Sequence, residues 1–197
     1  MKVLVGCELT RTVASAFERA GHFAMSCDLQ PAEAPGPHYR GDIMELLEVD
    51  HGWDLIILHP ECTRMAVCGN RHHAGTQGRL DDIEWTTALW KKAKRRAPRV
   101  CLENPGSVIF PVLRSLGAVV QYIQPNQFGH PETKKTGIAL HNLEPLKPTW
   151  DVSDIMETLP LKYRHQIWYA SPSETRGKER SEFFPGFANA MAQQWRH

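Results

Sequence analysis

Apolar residues fall into short runs along the chain, and each run is followed by glycine, proline or polar residues. Short apolar runs without helical spacing are typical of strands buried in a parallel sheet. On this basis the sequence predicts strands at 3–5, 22–27, 53–58, 99–103, 118–123 and 138–140, with one more ending near 41.

Residues at helical spacing separate these strands. Val13, Ala16, Phe17 and Ala20 recur on one helical face, and Gly21 is placed to end that helix. Further helices are predicted at 43–48, at 81–96, from about 107 and at 185–195. Strand and helix therefore alternate from end to end, which predicts an α/β fold: one domain, residues 1–197, with a mostly parallel sheet and helices on both faces.

One segment interrupts this alternation. Residues 64–80 are polar and irregular, and they contain three glycines and the cluster Arg71-His72-His73. A loop of this length inside a compact domain is usually functional or mobile, so we expect it to border a site.

Composition narrows the class of protein. The 197 residues carry a net charge of +1, which is not the overall charge of a nucleic-acid binder. The dense basic cluster at 91–96 is predicted to be the solvated end of a helix. Five cysteines without paired spacing argue against a disulfide framework and a zinc site, and Cys7, Cys27 and Cys101 are expected to be structural. No apolar run is long enough for a membrane span, so we expect a reduced, cytoplasmic protein without a metal.

Two predicted strands end in reactive side chains. Cys62 follows the strand at 53–58, within the run 59–63, and Glu103 ends the strand at 99–103. Because the carboxyl ends of parallel strands meet at one edge, this thiol and carboxyl should lie close together. Such a pair suits covalent chemistry on an electron-poor ring: the thiolate attacks while the carboxyl hydrogen-bonds to a ring nitrogen. A structural cysteine and a helix-capping carboxyl remain the alternatives.

The first strand–turn–helix unit is the usual position of a nucleotide cofactor. Its turn, residues 6–10, lacks the glycine-rich fingerprint and is weak evidence by itself. Asp28, about twenty residues further on, is placed to accept hydrogen bonds from ribose hydroxyls, and Asp42 could accept from an adenine amino group. Each aspartate could instead cap a turn or a helix.

Taken in order, these features resemble the cytosine-C5 methyltransferases, and specifically a small phage-type branch of that family. On the cofactor side, the family's Phe-x-Gly-x-Gly loop falls on residues 7–11, its ribose acid on Asp28 and its Gly-Asp-Ile on 41–43. The C-terminal motif that completes the cofactor pocket resembles Arg180-Ser181 and the helix that follows.

On the catalytic side, the family's Pro-Pro-Cys-Gln falls on 60–63, and the glycine seven residues after its cysteine falls on Gly69. Its Glu-Asn-Val falls on 103–105, and its Tyr-Gly-x-Pro-Gln-Arg-x-x-Arg resembles 128–136. The chain departs from the family in several places, and the arginines of the late motif are reduced to Lys134 and its neighbours. Leu9 and Arg11 replace cofactor-loop glycines, and Glu61 replaces the second proline, where its charge should raise the pKa of the neighbouring thiol.

The resemblance implies three groups of site residues. The residues implied to act in catalysis are Cys62, Glu103 and Lys134. Those implied to bind the cofactor are Gly6, Cys7, Glu8, Leu9, Thr10, Asp28, Leu29, Asp42, Ile43, Pro60 and Ser181. Those implied to bind the substrate are Thr63, Arg64, Gly69, Arg71, His72 and Asn104.

The fold implied by the resemblance is a Rossmann-like class I methyltransferase, and the implied activity is transfer of a methyl group from S-adenosylmethionine to C5 of cytosine in DNA through a covalent Cys62 adduct. Residues 180–197 would complete the cofactor pocket. Residues 141–179 leave no room for the family's target-recognition domain, so a partner protein could supply sequence recognition. Two alternatives stay open: a catalytically weak pseudo-methyltransferase that binds nucleic acid or a host protein, and a pyrimidine-modifying enzyme that acts on a free nucleotide or RNA.

Overall fold

A computed structural model describes residues 1–166 and 183–196. Within them the strands are β1 Lys2–Gly6, β2 Phe23–Asp28, β3 His38–Arg40, β4 Leu55–Leu58, β5 Arg99–Pro105, β6 Val119–Ile123 and β7 Thr136–His141. The helices are α1 Thr12–Arg19, α2 Ile43–Leu46, α3 Asn70–His73, α4 Gln77–Arg96, α5 Ile109–Ser115, α6 Ser153–Thr158, α7 Leu161–Arg164 and α8 Pro185–Gln194. Every strand predicted from the sequence is present.

The strands form one sheet in the order β3-β2-β1-β4-β5-β7-β6. The pairings from β3 to β5 are parallel, whereas β7 runs antiparallel to both β5 and β6. In the register of the central strands, Leu58 at the end of β4 lies opposite Leu102, so β5 runs from Glu103 to Pro105 beyond the end of β4. The predicted mostly parallel sheet is confirmed.

Alternate residues of the central strands enter two different cores. Val3, Val5 and Ile57 pack on the face covered by α1 and α8, while Leu4 and Ile56 pack on the face covered by α2, α4 and α5. All five side chains are fully buried. A strand covered on both faces has no polar side to show, which explains why these strands are continuous apolar runs in the sequence.

The segment predicted as a long loop, 64–80, is more ordered than expected. It contains a short 3₁₀ turn at Val67–Gly69 and helix α3, and α4 begins at Gln77 rather than 81. Thr76 caps α4 by accepting from the Arg79 N–H, at 3.4 Å. Polar side chains that bond to backbone form these turns, so hydrophobic spacing could not reveal them.

The basic cluster at 91–96 does end a helix, but the expectation that it is merely solvated is wrong. Lys92 is buried and pairs with Glu48 and with the Met44 carbonyl. Arg96 Nε donates to the Leu47 carbonyl at 2.7 Å. These cations satisfy the C-terminal carbonyls around α2 and fasten it to α4.

The closing helix predicted at 185–195 is present as α8, which packs on α1 and contributes Phe187 and Met191 to the core. Arg180 and Ser181 lie outside the described residues. None of the described helices is long and apolar enough to cross a membrane.

Candidate active site

A cavity of about 590 Å³ opens at the carboxyl ends of β1 to β5. Thirteen residues proposed from the sequence line it: Cys7, Glu8, Leu9, Thr10, Asp28, Leu29, Asp42, Ile43, Pro60, Cys62, Glu103, Asn104 and Lys134. Neighbouring parallel strands end at the same edge, and this topology brings together residues far apart in the sequence.

Cys62 lies in the turn after β4 and lines the cavity at the end that Glu103 also lines. Its carbonyl accepts from Met65 N at 3.0 Å and from Ala66 N at 2.8 Å, which closes a tight turn. Burial, together with the carboxylates of Glu61 and Glu103, raises the pKa of the Cys62 thiol to about 11, and the charge of Lys134 opposes this rise. The thiol is therefore held as the neutral acid at neutral pH.

Glu61 folds back on its own turn. One carboxylate oxygen accepts from Cys62 N and Thr63 N, both at 2.9 Å, and from the Thr63 hydroxyl at 2.6 Å. Burial alone would raise the pKa of Glu61, but these hydrogen bonds outweigh it and the pKa is lowered. The residue is a fixed negative charge beside the thiol, and its expected effect on the thiol pKa is confirmed.

Glu103 and Asn104 approach Cys62 from β5. Asn104 is buried and donates to the Pro60 carbonyl at 3.1 Å, which ties the two strand ends together. Glu103 is buried as well, and its Oε2 lies 3.1 Å from His59 Nδ1. Asn104 Oδ1 and His59 Nε2 are both buried without a hydrogen-bond partner among the described residues, so the cavity wall has polar atoms available to a ligand.

At the cofactor end, Asp28 closes β2 and Asp42 precedes α2. Each uses one oxygen as a local cap: Asp28 Oδ1 accepts from Gln30 N at 2.9 Å, and Asp42 Oδ1 from Met44 N at 2.8 Å. The capping alternative is therefore realised for both. Since a carboxylate has two oxygens, a cap at one is compatible with ligand binding at the other.

Glu8 occupies the turn between β1 and α1. Its buried carboxylate accepts from Val13 N at 2.6 Å and Ala14 N at 3.2 Å, at the start of α1. Burial raises the pKa of Glu8, against the opposing effects of His59, these two N–H groups and Arg11. The partial positive charge at the N-terminus of α1 therefore interacts with the Glu8 carboxylate and not with a ligand.

The turn that carries Glu8 keeps a glycine-like backbone without glycine. Cys7 and Arg11 both have φ of 60°, in the left-handed region, and Arg11 stands where the family's motif has its last glycine. The fully buried Arg11 guanidinium bonds to the Pro35 carbonyl at 3.0 Å, to the Pro37 carbonyl and to Glu18 at 2.7 Å. These bonds hold a conformation that costs a non-glycine residue roughly 1–2 kcal/mol.

The other proposed residues lie outside the cavity lining. Gly6 is inside the end of β1, and Thr63 belongs to the Glu61 turn. Arg64 pairs with Asp82 through Nε at 2.7 Å. Gly69 ends the 3₁₀ turn, and Arg71 and His72 lie in α3; none of these three residues lines the cavity. Ser181 lies outside the described residues.

Several lining residues escaped the sequence-based proposal. Among them are Cys27, Glu33, Gly41, His59, Trp85 and Phe183. His59 directly follows β4, a position that could have singled it out. Trp85 and Phe183 come from α4 and the segment before α8, and no local signal links them to the cavity. Cys7, expected to be structural from its strand position but assigned to the cofactor loop by the resemblance, lines the cavity, and so does Cys27. Cys101 is fully buried.

Arg79, which the sequence-based proposal did not include, lies outside the cavity lining and stabilises the turn that follows Cys62. Its buried guanidinium donates to the carbonyls of Arg64 and Ala66 and, at 2.8 Å, to Asn70 Oδ1. It therefore fastens the chain after Cys62 to the first turn of α4.

A seven-stranded sheet in this order, with β7 antiparallel and a cavity at the carboxyl ends of the parallel strands, is the Rossmann-like class I methyltransferase fold. One solved structure that shares it is a protein assigned as a DNA modification methyltransferase, encoded within a prophage of E. coli. Its TM-score is 0.51 at 12% identity, over 82% of this chain and 56% of that one. Another is the Dnmt2 methyltransferase of S. pombe, with a TM-score of 0.50 at 15% identity, over 88% of this chain and 60% of that one.

This chain thus spans less than two thirds of the length of either neighbour. No family model matches the sequence, and no curated protein matches it. At these identities the likeness establishes the fold, and activity has to be argued from the site.

Proposed function

We propose that the protein is an S-adenosylmethionine-dependent methyltransferase that modifies C5 of cytosine in nucleic acid, most simply DNA, through a covalent bond from Cys62. The observation that carries this proposal is the shared cavity: Cys62 and Glu103 line one end, and Asp28 and Asp42 line the other. A thiol and a carboxyl group therefore open into the same space as carboxylates suited to a nucleoside.

The cavity residues fit adenosylmethionine chemically. Asp28 would accept from ribose hydroxyls and Asp42 from the adenine amino group, with Leu29 and Ile43 as apolar neighbours. Six carboxyl residues line the cavity against one lysine, which suits a cofactor of net positive charge. When bound, the cofactor supplies an electrophilic methyl group.

On the substrate, Cys62 would attack C6 of the pyrimidine as the thiolate. Glu103 would donate a proton to N3, so that the electrons displaced from the C5–C6 double bond make C5 nucleophilic. After C5 has been modified, loss of its proton and expulsion of the Cys62 sulfur would restore the ring. Asn104 would keep the two strand ends in register through its bond to Pro60.

The charges favour a base presented by a polymer over a free nucleotide. A phosphate inside the cavity would meet six carboxyl residues, and Lys134 is the one lysine or arginine among the described lining residues. Nearby guanidinium groups are already engaged, Arg64 with Asp82 and Arg79 with backbone carbonyls. Glu8 and Asp42 occupy the N-termini of α1 and α2. The phosphates of the substrate would therefore remain outside, with the base turned out into the cavity.

Sequence recognition would be minimal. Between β7 and residue 166 the chain forms only the short helices α6 and α7 within the described part, which offers little surface for reading base edges. We infer that the protein alone recognises its target base and at most one or two neighbours, unless a partner protein adds contacts. Bisulfite sequencing of treated DNA tests this: a defined site of four or more base pairs would contradict it.

A catalytically weak relative that only binds nucleic acid or a host protein is the second candidate. The observation in its favour is the Cys62 thiol, whose pKa is raised to about 11 by burial and by the carboxylates of Glu61 and Glu103. Such a thiol is a nucleophile for a small fraction of the time at neutral pH.

Transfer of labelled methyl groups separates the candidates. The full chain is incubated with adenosylmethionine and duplex DNA, single-stranded DNA, tRNA or dCMP, and calorimetry with the cofactor and its demethylated product runs in parallel. Label in cytosine C5 of a polymer supports the proposal. Binding of neither cofactor form would contradict it, and cofactor binding without transfer to any substrate would favour the second candidate.

A further inference from the structure

His59 lines the cavity and contacts the buried carboxyl group of Glu103, yet the proposed function gives it no role. Its ring lies at the end of β4, with Nδ1 3.1 Å from Glu103 Oε2. On the cofactor side its charge acts on Glu8, lowering the pKa that burial raises. The side chains of His59 and Glu103 are only 12% and 11% exposed, so little water competes for these contacts.

The hydrogen bond between the ring and Glu103 contains one proton, whichever atom carries it. With a proton on Nε2 throughout, a bonding proton on Oε2 gives a neutral carboxyl and a neutral imidazole whose Nδ1 accepts. With the bonding proton on Nδ1 instead, the pair is a carboxylate and an imidazolium. These two states have the same number of protons, so the proton can move between the residues without any net change of charge in the cavity.

The rest of the ring is enclosed. Phe183 packs edge-on against it with ring centroids 4.9 Å apart, and the His59 N–H donates to the Gly6 carbonyl at 2.9 Å, which fixes the backbone. Nε2 is buried and has no partner among the described residues. An unpaired buried ring nitrogen costs about 1–3 kcal/mol, so an apolar residue would fill this space at lower cost if packing were the only requirement.

We propose that His59 is a positioning residue for Glu103: it orients the carboxyl towards the pyrimidine and holds the proton that Glu103 delivers to N3. This inference rests on the proposed function, because it takes a pyrimidine ring as the substrate. Oε2 is engaged by His59, which leaves Oε1 to face the ring.

The proton that N3 receives is replaced by one from within the site. As the Cys62 sulfur bonds to C6, the C5–C6 double bond breaks and its electrons move through C4 to N3. N3 takes the proton of Glu103, and the proton lost by the Cys62 thiol refills the His59–Glu103 pair. When the sulfur is expelled, N3 returns its proton and the thiol is restored.

Hydrogen exchange at cytosine C5 tests this step without the cofactor. Addition of Cys62 makes C5 nucleophilic, so C5 takes a proton from water. Loss of the triton from C5 and expulsion of the Cys62 sulfur then restore the ring, and tritium placed at C5 of an oligonucleotide is released to water. We expect the parent protein to release tritium and His59→Ala to release it about 100-fold more slowly, the usual size of a lost acid–base contribution. Added imidazole, which fits the vacated space, should restore much of the rate in His59→Ala and none in Glu103→Ala.

Two further variants keep the test decisive. His59→Asn retains an amide that can hydrogen-bond to Glu103 but cannot hold the proton, so its exchange should remain slow even if His59→Ala does not fold. His22→Ala removes another histidine whose Nε2 is buried without a partner among the described residues. His22 lies outside the cavity lining, so this variant should exchange like the parent.

The possible outcomes distinguish the proposed role of His59 from the proposed methyltransferase function. Parent-like exchange in His59→Asn, or a folded His59→Ala that imidazole does not restore, would overturn the role of His59 and leave the Cys62 mechanism intact. No exchange in the parent protein on any polymer would overturn both. Exchange without methyl transfer would overturn only the proposed methylation.

Discussion

The two ends of the cavity differ in how they resemble the pattern of the cytosine-C5 methyltransferases. At the end lined by Asp28 and Asp42 the side chains of the turn depart from that pattern, but Arg11 takes a φ of 60°, which glycine adopts readily, and its guanidinium bonds to the Pro35 carbonyl. At the end lined by Cys62, the residues Cys62, Glu103 and Asn104 match that pattern. Glu61 adds a negative charge beside the thiol, and the His59 ring lies against Glu103. Binding of a nucleoside depends on the shape of a turn, whereas bond formation depends on particular atoms.

The largest effect should follow from removing the thiol. We expect Cys62→Ala to abolish methyl transfer while the free energy of unfolding changes by less than about 1 kcal/mol, because the side chain lines a cavity and is not in the core. Labelled-methyl transfer and urea unfolding measure the two quantities.

Cys101→Ala is the matched control for that variant. Cys101 is fully buried in the sheet core, so its loss should cost roughly 1 kcal/mol or more of stability and leave activity largely intact. Methyl transfer that survives in Cys62→Ala would remove the covalent mechanism.

At the cofactor end, Asp28→Ala should weaken adenosylmethionine binding by about 1.5–3 kcal/mol, the range for hydrogen bonds to a charged group. Asp50→Ala is its control, because Asp50 caps the Gly52 N–H at 2.9 Å in the same way that Asp28 caps Gln30, but on an exposed turn. Calorimetry that finds equal affinity in the two variants would place the cofactor elsewhere.

A pair of substitutions at Arg11 separates backbone shape from side-chain contacts. Arg11→Gly and Arg11→Ala both lose the buried guanidinium, but only alanine keeps the strain of a φ of 60°. The glycine variant should therefore be the more stable of the two by about 1 kcal/mol in urea unfolding. Equal stability would mean that the left-handed turn is not maintained once the side chain is gone.

The smallest effect concerns Glu61. Burial and then the Glu61 charge raise the thiol pKa to about 11, so removing that charge should lower the pKa and increase the thiolate fraction at pH 8. We expect iodoacetamide to alkylate Cys62 about threefold faster in Glu61→Gln, a change of less than one pKa unit. Glu33→Gln removes a carboxyl from the other end of the cavity and should leave the rate unchanged.

The sequence was sufficient for the features that depend on periodicity and strand order. Apolar runs located the strands, and the rule that parallel strands end at one edge predicted that Cys62 and Glu103 would face the same cavity. Asp28 and Asp42 followed from the same rule.

Features that depend on a distant partner were not predictable. Arg64 looked available for phosphate, but Asp82 on α4 pairs with it. The sequence predicted that Lys92 is solvated, but in the structure it pairs with Glu48 and donates to the Met44 carbonyl. Arg79 can be buried because carbonyl groups of the preceding loop accept its hydrogen bonds. Phe183 lines the cavity although it is far from the other lining residues in the sequence. Charge and polarity along a sequence do not reveal which contacts satisfy them.

The place of β7 in the sheet has a consequence for the order of folding. β6 follows β5 in the sequence but pairs only with β7 among the described strands, and β7 inserts between them. During synthesis, β6 therefore has no edge to join until residue 141 has emerged, although β1 to β5 can already pair. The chain passes through a stage in which β5 presents an open edge, and pairing with β7 closes it. A strand that arrives late thus protects the edge that carries Glu103 from association with other chains.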